Sequence, residues 1–430
     1  MKFLLKLFSV CVFFVLLIVI AAISLKPITL TNQTLTPIQV AAAKHSLQRL
    51  LTELKKESAH INIVLYQTEL DALSDLAAHT INNANFENYI SAQTFTTAVS
   101  YNLSQLFKIQ QQDFYINAYC SMSQQDSKFS VEHCKLGSIP IPQFIAEPLL
   151  FGALKHYLPS DSAQLAQHLF EQFSIQPNAL ALSASRPPLL ITKVRESLNS
   201  IKQQATDFAV GSKFNTDKFY EYISVLENNK NNSNQLAYFI GLLFEKARSN
   251  MIAQPSLSAV RENRHALWAL ATYFGNRRFA KIAGLSMPST IKPNQTPVLR
   301  TRQDLSLHFL YSAILEQLGG KQIGLNIGEI KELYDANEGG SGYSFADLAA
   351  DKAGLSFSQF VVYSEQKARQ AQQMLAGIKE EAVFFPQINK LPEGLSAIQF
   401  QQELGNKHSA QYKVLERIID NRITELPLYQ

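Results

Sequence analysis

The sequence predicts an α+β fold: an N-terminal transmembrane helix, a mixed α+β domain with a β-meander, and then a mostly α-helical body. Three observations lead to this prediction. An uncharged apolar run stands at the N-terminus, alternating strand-like runs surround two cysteines, and apolar residues recur at helical spacing from residue 193 onward. The length of 430 residues allows two or three domains. The apolar composition of 46% is ordinary for a globular chain.

Residues 1–26 predict a transmembrane signal-anchor. Lys2 and Lys6 precede Leu7–Leu25, which is a run of 19 residues without a charge. A helix of that length spans about 28 Å, close to the hydrocarbon thickness of a bilayer. Because a cationic N-terminus stays in the cytoplasm, we expect a single-pass protein of the inner membrane with most of the chain in the periplasm. A cleaved signal peptide is the alternative, since small residues such as Ala21 and Ser24 permit cleavage.

The next segments predict a short linker and then an α+β domain. Residues 27–37 are rich in Thr, Pro and Gln, which is typical of a linker. The domain is expected at 38–195, because helical and alternating patterns follow one another there. We expect helices at 38–56, 68–84 and 145–158, strands at 61–66 and in two or three runs between 95 and 139, and a rigid extended turn at 137–142.

The cysteines predict a disulfide in this domain. Cys11 lies in the apolar run, whereas Cys120 and Cys134 lie in alternating runs on either side of SQQDSK. A hairpin folded about residue 127 places these two opposite each other, which predicts a cross-strand disulfide and an oxidising compartment. In the chain-entropy model, a disulfide that closes such a loop stabilises the folded state by on the order of 3 kcal/mol. The alternatives are two buried thiols or a pair of metal ligands. A metal site would need companion ligands, which are lacking near these cysteines.

Two helical parts follow, at 196–290 and at 291–430. Apolar residues at 3.6-residue spacing predict helices at 194–208, 216–227, 235–251 and 257–273. Residues 286–300 are rich in Pro, Thr and Asn and predict a linker. In the helix expected at 257–273, His265 stands near four arginines, and these residues make a candidate anion or headgroup site. Solvated arginines, or arginines bonded to helix carbonyls, are the structural alternative. The arginines are Arg261, Arg264, Arg277 and Arg278.

The stretch 302–354 holds the densest set of side chains suited to chemistry. A helix expected at 304–318 carries His308 within an apolar pattern. A second helix, expected at 323–334, brings Glu332 and Asp335 onto one face because they are three residues apart.

A third helix has a clear predicted start at Ser344. The S-x-x-D pattern predicts a capping box between Ser344 and Asp347. Asp351 follows four residues later and therefore shares a face with Asp347. Glycines at 339, 340 and 342 permit a tight reversal that places the second and third helices side by side.

These helices, packed together, bring up to four carboxylates and one imidazole to one place. Such charges raise one another's pKa or demand a cation, so a divalent metal is a candidate cofactor. The structural alternative has Asp347 as a helix cap, Asp351 as a solvated charge and His308 as a core histidine. The candidate catalytic residues are His308, Glu332, Asp335, Asp347 and Asp351.

The runs HF-x-x-SA, KE-x-x-D and GGSGYSF-x-DL-x-x-D-x-x-G resemble a motif of small bacterial envelope lipoproteins of unknown function. They resemble VanZ-like membrane proteins more loosely, because the helices of this chain are too short and too polar to span a bilayer. The motif covers about 50 of the 430 residues. The whole chain also resembles an uncharacterised family of proteobacterial envelope proteins. None of these resemblances implies an activity. The matched positions are His308, Lys331, Glu332, Asp335, Ser344, Asp347, Asp351 and Gly354.

Composition and motifs narrow the function to two classes. The net charge of +4 is dispersed, so a nucleic-acid partner is not expected. Nucleotide loops, nucleophile elbows, HExxH and CxxC motifs are absent from the sequence. The sequence favours a periplasmic protein held at the inner membrane, with a structural, lipid-binding or interaction role toward an envelope lipid or protein partner. The alternative is a metal-assisted or acid/base hydrolase or transferase that acts on an envelope substrate through His308 and the carboxylates at 332–351.

Overall fold

The computed structural model describes most of the chain, which divides into two compact units. Among the described residues, the first unit holds 21–29 and 39–197, and the second holds 36–38 and everything from 215 onward. The described ranges are 21–29, 36–80, 83–104, 113–125, 128–197, 215–277, 279–280, 285, 287–317, 331 and 340–430.

Two antiparallel sheets and several helices build the first unit, so the predicted mixed α+β class is confirmed there. The larger sheet has the order β3-β4-β5-β6-β7, with β1 beside β5, and the smaller has the order β2-β9-β8. The strands are β1 (Ile23–Ser24), β2 (His60–Tyr66), β3 (Ala84–Ile90), β4 (Thr94–Asn102), β5 (Tyr115–Gln125), β6 (Lys128–Leu136), β7 (Ile139–Pro142), β8 (Phe173–Gln176) and β9 (Ala179–Ser185). The helices are α1 (Pro37–Lys55), α2 (Gln67–Thr80), α3 (Gln143–Tyr157), α4 (Ser160–Glu171) and α5, whose described part is 190–197.

Several predicted elements of this unit are confirmed, and others are corrected. The helices expected at 38–56, 68–84 and 145–158 are α1, α2 and α3. The turn expected at 137–142 is wrong, because its last four residues form β7 and pair with β6. Strands β3, β8 and β9 and helix α4 were not predicted. The smaller sheet, in which β9 pairs along the whole of β2, was therefore not predicted either.

The cysteine hairpin is confirmed, with one feature that the sequence did not indicate. Gln125 pairs with Lys128 at the turn, and this register, continued along both strands, would place Cys120 opposite His133. A β-bulge one residue after Cys120 shifts the pairing by one. Cys120 therefore faces Cys134, with Cα atoms 4.1 Å apart, and the two form the disulfide. That separation is close to the ~4.5 Å of a narrow antiparallel pair.

The predicted membrane span lies mostly outside the described residues, which begin at Ala21. Its last residues need a correction, because Ile23 and Ser24 form β1 and pair with β5 rather than continuing a helix. The predicted membrane segment, which lies mostly outside the described residues, would therefore end by Ala22 and not at Leu25. Among the described residues, no helix combines the length and the apolar composition that crossing a bilayer requires.

Helices form most of the second unit, as the sequence predicts. The predictions at 216–227, 235–251 and 304–318 are confirmed within two residues at each end, whereas the helix expected at 323–334 lies outside the described residues except for Lys331. The helices are α6 (Thr216–Glu227), α7 (Leu236–Ala253), α8 (Ala259–Leu270, followed by a π-helical turn at Ala271–Gly275), α9 (303–317), α10 (Phe345–Val362), α11 (Glu365–Leu375), α12 (Ala397–Glu403) and α13 (Ala410–Thr424).

The core of the second unit joins the two helical parts that the sequence separates at 290. The Asn263 amide on α8 is fully buried and donates to the backbone oxygens of Val361 and Ala368. The end of the predicted linker at 286–300 is also part of this core, since Leu299 is fully buried. Phe309 on α9 packs against the rings of Phe357, Phe384 and Phe385, which places α9 and α10 side by side.

Candidate functional site

Two crossing helices build the site, and a glycine sets how closely they approach. A Cβ atom at Gly354 on α10 would lie 2.2 Å from the backbone oxygen of Phe309 on α9. Only glycine therefore permits this crossing without a shift of the helices. His308 stands next to Phe309 on α9, and Asp351 lies three residues before Gly354. The close approach thus brings the side chains of His308 and Asp351 within hydrogen-bonding distance.

His308 lies between two carboxylates of α10. Its Nδ1 atom is 3.1 Å from Asp351 Oδ1, and its Nε2 atom is 3.4 Å from Asp347 Oδ2. The two aspartates are four residues apart, so they project from one face and meet opposite sides of the ring. All three side chains are buried.

This arrangement keeps the imidazole positively charged at neutral pH. Burial alone would lower the pKa of His308, but the bond to Asp351 and the charges of Asp351 and Asp347 raise it to about 9. Burial raises the pKa of Asp347, and the positive charges of His308 and Arg302 oppose that rise. The site therefore combines an imidazolium with a carboxyl group that binds protons more readily than an exposed aspartate.

A hydroxyl and an unpartnered oxygen complete the cluster at Asp351. The Ser312 hydroxyl, one turn after His308, donates to Asp351 Oδ1 at 2.5 Å. Asp351 Oδ2 is buried and has no hydrogen-bond partner among the described residues. A buried carboxylate oxygen without a donor costs free energy, so it is a natural place for a donor that comes with a ligand or a water.

A pocket of about 440 Å³ opens beside this cluster. Leu307, Tyr311 and Leu315 of α9 give it an apolar wall. Arg302 stands at its edge and binds Asp347 Oδ1 at 3.1 Å as well as Asp304 and Glu393. The remaining lining comes from Asp304, His308, Ser312, Lys331, Ser341, Gly342, Ser344, Asp347, Asp351, Glu393 and Gly394.

Backbone contacts around Gly342 form another part of the lining. Gly342 has a φ of +86°, and a Cβ atom there would lie 2.3 Å from the carbonyl carbon of Gly394. The reversal predicted between the second and third helices begins outside the described residues, and the contact at Gly342 is a tertiary one. This contact places the loop before α10 against the loop that carries Glu393, and both loops line the pocket.

The structure brings together three of the five predicted site residues, namely His308, Asp347 and Asp351. Glu332 and Asp335 lie outside the described residues. The hypothesis that Asp351 is a solvated charge is wrong, because only 3% of it is exposed. The Ser344 hydroxyl accepts a bond from the Asp347 N–H, as the capping pattern predicts. The Asp347 carboxylate, however, is directed at His308 and Arg302, so Asp347 is more than a helix cap.

Sequence reasoning did not assign three residues of this site. Ser312 had a signal, because it lies four residues after His308 and thus on the same face of α9. Arg302 and Glu393 had none, since the bond between them spans 91 residues. Only the fold places that pair in the lining of the pocket.

The donor set does not resemble a metal centre. Each ring nitrogen of His308 faces a carboxylate and is protonated when the imidazole is charged, whereas a metal ligand needs a free lone pair. Within the described ranges, His, Cys, Asp and Glu side chains do not gather in groups of three or more suited to a metal ion. A metal held with Glu332 or Asp335 stays a prediction.

Two members of the other predicted cluster, His265 and Arg277, bond to the backbone. The Asn215 N–H at the start of α6 donates to His265 Nε2 at 2.9 Å. Arg277 donates to the backbone oxygens of Met287 and Ile291, which lie in a loop and not in a helix as the structural alternative had it. Arg278 lies outside the described residues.

The chain was also compared with known proteins. No protein-family model, curated protein or solved structure matches it. The resemblances of residues 302–354 to envelope lipoproteins and VanZ-like proteins therefore stay predictions.

Proposed function

We propose that the pocket beside His308 binds a small polar molecule and carries out acid/base hydrolysis or transfer on it. The observation that carries this proposal is the unpartnered oxygen of Asp351, which lies at a pocket lined by a charged imidazole and a proton-binding carboxyl group. A purely structural ion cluster has no need of the pocket or of a vacant acceptor.

The residues divide into reacting and positioning groups. Asp347, whose pKa is raised, is the general base. It takes a proton from the water or substrate hydroxyl whose oxygen attacks the reacting bond. His308 is the general acid that returns a proton to the leaving group. Asp351 fixes the His308 ring and its charge, and its vacant Oδ2 atom accepts a bond from the substrate. Ser312 is a positioning residue, because it acts through Asp351.

The proposal includes a location, the cell envelope. The disulfide supports export, because such bonds persist in oxidising compartments. The uncharged run that follows Lys2 and Lys6 supports a single-pass inner-membrane protein with its bulk in the periplasm. The substrate is accordingly an envelope molecule.

Probe binding tests the pocket directly. Saturation-transfer NMR on the full chain with a defined set of small amines, alcohols and amides reports binding of hydrogen-bond donors. We expect binding to the unchanged protein, loss in Asp351→Asn, and no loss in Gln359→Ala, which lines a different groove of the second unit. Trp268 fluorescence verifies that each variant is folded. Equal binding by Asp351→Asn, or no binding by any probe, would contradict the proposal and favour a structural cluster.

A lipid-binding or interaction role in the envelope is the second candidate function. One observation favours it, namely a set of large apolar side chains that lie exposed on α3 of the first unit. Monomeric soluble proteins rarely expose apolar patches of this kind without a partner.

A further inference from the structure

Helix α3 has an inner face that is fully integrated into the first unit. Phe151 packs edge-on against Phe170 of α4, and Ala146 is buried in the core beneath the larger sheet. The Glu147 carboxylate accepts a bond from the Val131 N–H of β6 at 3.0 Å. The helix is therefore held firmly on one side, and its one acidic residue is turned inward.

The outer face of α3 is apolar over its first ten residues. Phe144 is 77% exposed and Leu149 is 59% exposed, and Ile145 lies between them on the same face. Pro148 and Gly152 are also exposed on this face, so it carries no charge up to its last turn. Lys155 and His156 then end the helix with basic side chains. An exposed apolar face of this kind marks a contact surface for a membrane or a protein, and the basic end favours an anionic one.

The path of the chain places this face near the N-terminal apolar run. The backbone oxygen of Ala21 accepts bonds from the N–H and the hydroxyl of Ser138. A Cβ atom at the neighbouring Gly137, where φ is +59°, would lie 2.4 Å from the same oxygen. The uncharged run thus ends against the turn between β6 and β7.

From that turn the distance to α3 is short. Helix α3 begins at Gln143, five residues after Ser138, and five extended residues span at most about 17 Å. Leu25 and Ile28, which follow β1, are also exposed apolar residues. If residues 7–20 are in the bilayer, the start of α3 lies within about 17 Å of Ser138, which bonds the residue that follows that segment.

We propose that α3 docks on the bilayer surface, with Phe144, Ile145 and Leu149 among the lipid headgroups and acyl chains and with Lys155 toward anionic headgroups. This inference rests on the proposed membrane location of the N-terminal run. Positively charged side chains beside an apolar face favour membranes that contain anionic lipid. Docking would hold the first unit in one orientation on the membrane.

Fluorescence quenching of the full chain tests the docking. The Phe144→Trp variant is reconstituted in 3:1 phosphatidylcholine/phosphatidylglycerol vesicles with and without acyl-chain bromine. We expect bromine to reduce the emission of the introduced indole about twofold, since an interfacial helix buries its apolar face ~5–10 Å deep. The unchanged chain supplies the background, because its one tryptophan, Trp268, is fully buried.

Tyr66→Trp is the matched control, since Tyr66 is an exposed aromatic residue of the other sheet of the same unit. Its emission should not change. No quenching in Phe144→Trp, or quenching equal to that of Tyr66→Trp, overturns the proposal. Cross-linking through α3 between two copies would also overturn it, because the occupant would then be a second copy of the chain.

Carbonate extraction of membranes separates this proposal from the membrane location. A Phe144→Trp chain that stays in the pellet while its introduced indole is unquenched keeps its anchor and loses the docking of α3. Release of the chain from the membrane would mean that the N-terminal run is not an anchor. Membrane binding by α3 is then measured by flotation of the released chain with the same vesicles. Flotation that the exposed-site variant Leu149→Glu abolishes supports α3, whereas no flotation overturns it.

Discussion

His265 and His308 are both buried in the second unit, yet they differ in charge. Burial lowers the pKa of His265, which stays neutral and accepts a bond from the Asn215 N–H. Two aspartates raise the pKa of His308 to about 9, so it is charged. Burial favours the neutral form in both, and only the carboxylates beside His308 outweigh it. Burial alone therefore does not decide whether a histidine is structural or chemical.

Their surroundings differ as well. Near His265, the Glu262 carboxylate accepts bonds from Tyr222 and Asn250 at 2.7 Å each. The cluster around His308 borders a pocket and leaves Asp351 Oδ2 without a partner among the described residues. A closed polar cluster stabilises a fold, whereas an open one leaves a position for a ligand.

Removal of each ring tests the comparison most strongly. His308→Leu leaves two carboxylates buried without their cation, which we expect to cost about 3–5 kcal/mol of unfolding free energy at pH 7. His265→Leu leaves one N–H without its acceptor, at about 1–3 kcal/mol. Urea unfolding followed by Trp268 fluorescence reports on the second unit. Equal losses of unfolding free energy in the two variants would mean that the charge of His308 does not stabilise the second unit.

The two histidines should respond to pH in opposite directions. The folded pKa of His308 lies above its unfolded value of 6.5, so its contribution is complete below pH 6.5 and is lost as pH rises through about 9. At about 1.4 kcal/mol per pKa unit, this loss is about 3 kcal/mol. The folded pKa of His265 is lowered, so its contribution is present above pH 6.5 and is lost as pH falls.

Unfolding midpoints of the second unit between pH 5 and 10 measure both effects. His308→Gln should remove the alkaline loss and keep the acid one, whereas His265→Gln should do the reverse. An alkaline loss that persists in His308→Gln would assign it to another group.

Two serines of α9 form a matched pair for the open cluster. Ser312 donates to a charged oxygen, so we expect Ser312→Ala to cost about 1.5–3 kcal/mol. Ser306 is fully buried, and its hydroxyl has no partner among the described residues, so Ser306→Ala should cost nothing or stabilise. Urea unfolding compares them, and equal costs would show that the bond to Asp351 adds little.

Gly354→Ala tests the helix crossing and has the smallest expected effect. The added Cβ would meet the Phe309 backbone, so the helices must shift at a cost of about 1–3 kcal/mol. The shift also moves Asp351 from His308, so NMR titration should find a lower pKa for His308. Gly275→Ala is the control, because the atoms nearest to its Cβ belong to the side chains of Tyr311 and Phe279 and not to the backbone. An unchanged His308 pKa in Gly354→Ala would show that the crossing does not set the site.

Local patterns predicted the parts of the site that lie on one helix. The spacing of Asp347 and Asp351 and the cap at Ser344 depend on the helical repeat, which needs no tertiary information. Strands β8 and β9 were not predicted, because runs such as ALALSAS contain small residues that favour helices in isolation, and pairing with β2 overrides that preference. Strand β7 contains Pro140 and Pro142, which it tolerates as an edge strand of its sheet.

The sequence by itself determined the class of the fold, most helices, the cysteine pair and the shared face of two aspartates, because each follows from short-range periodicity or from a turn. Tertiary structure alone decided that His308 lies between those aspartates, that a bulge aligns Cys120 with Cys134, and that Asp351 borders a pocket. These features depend on contacts between residues far apart in the chain, and on burial, which turns charges that would be weak in water into strong interactions.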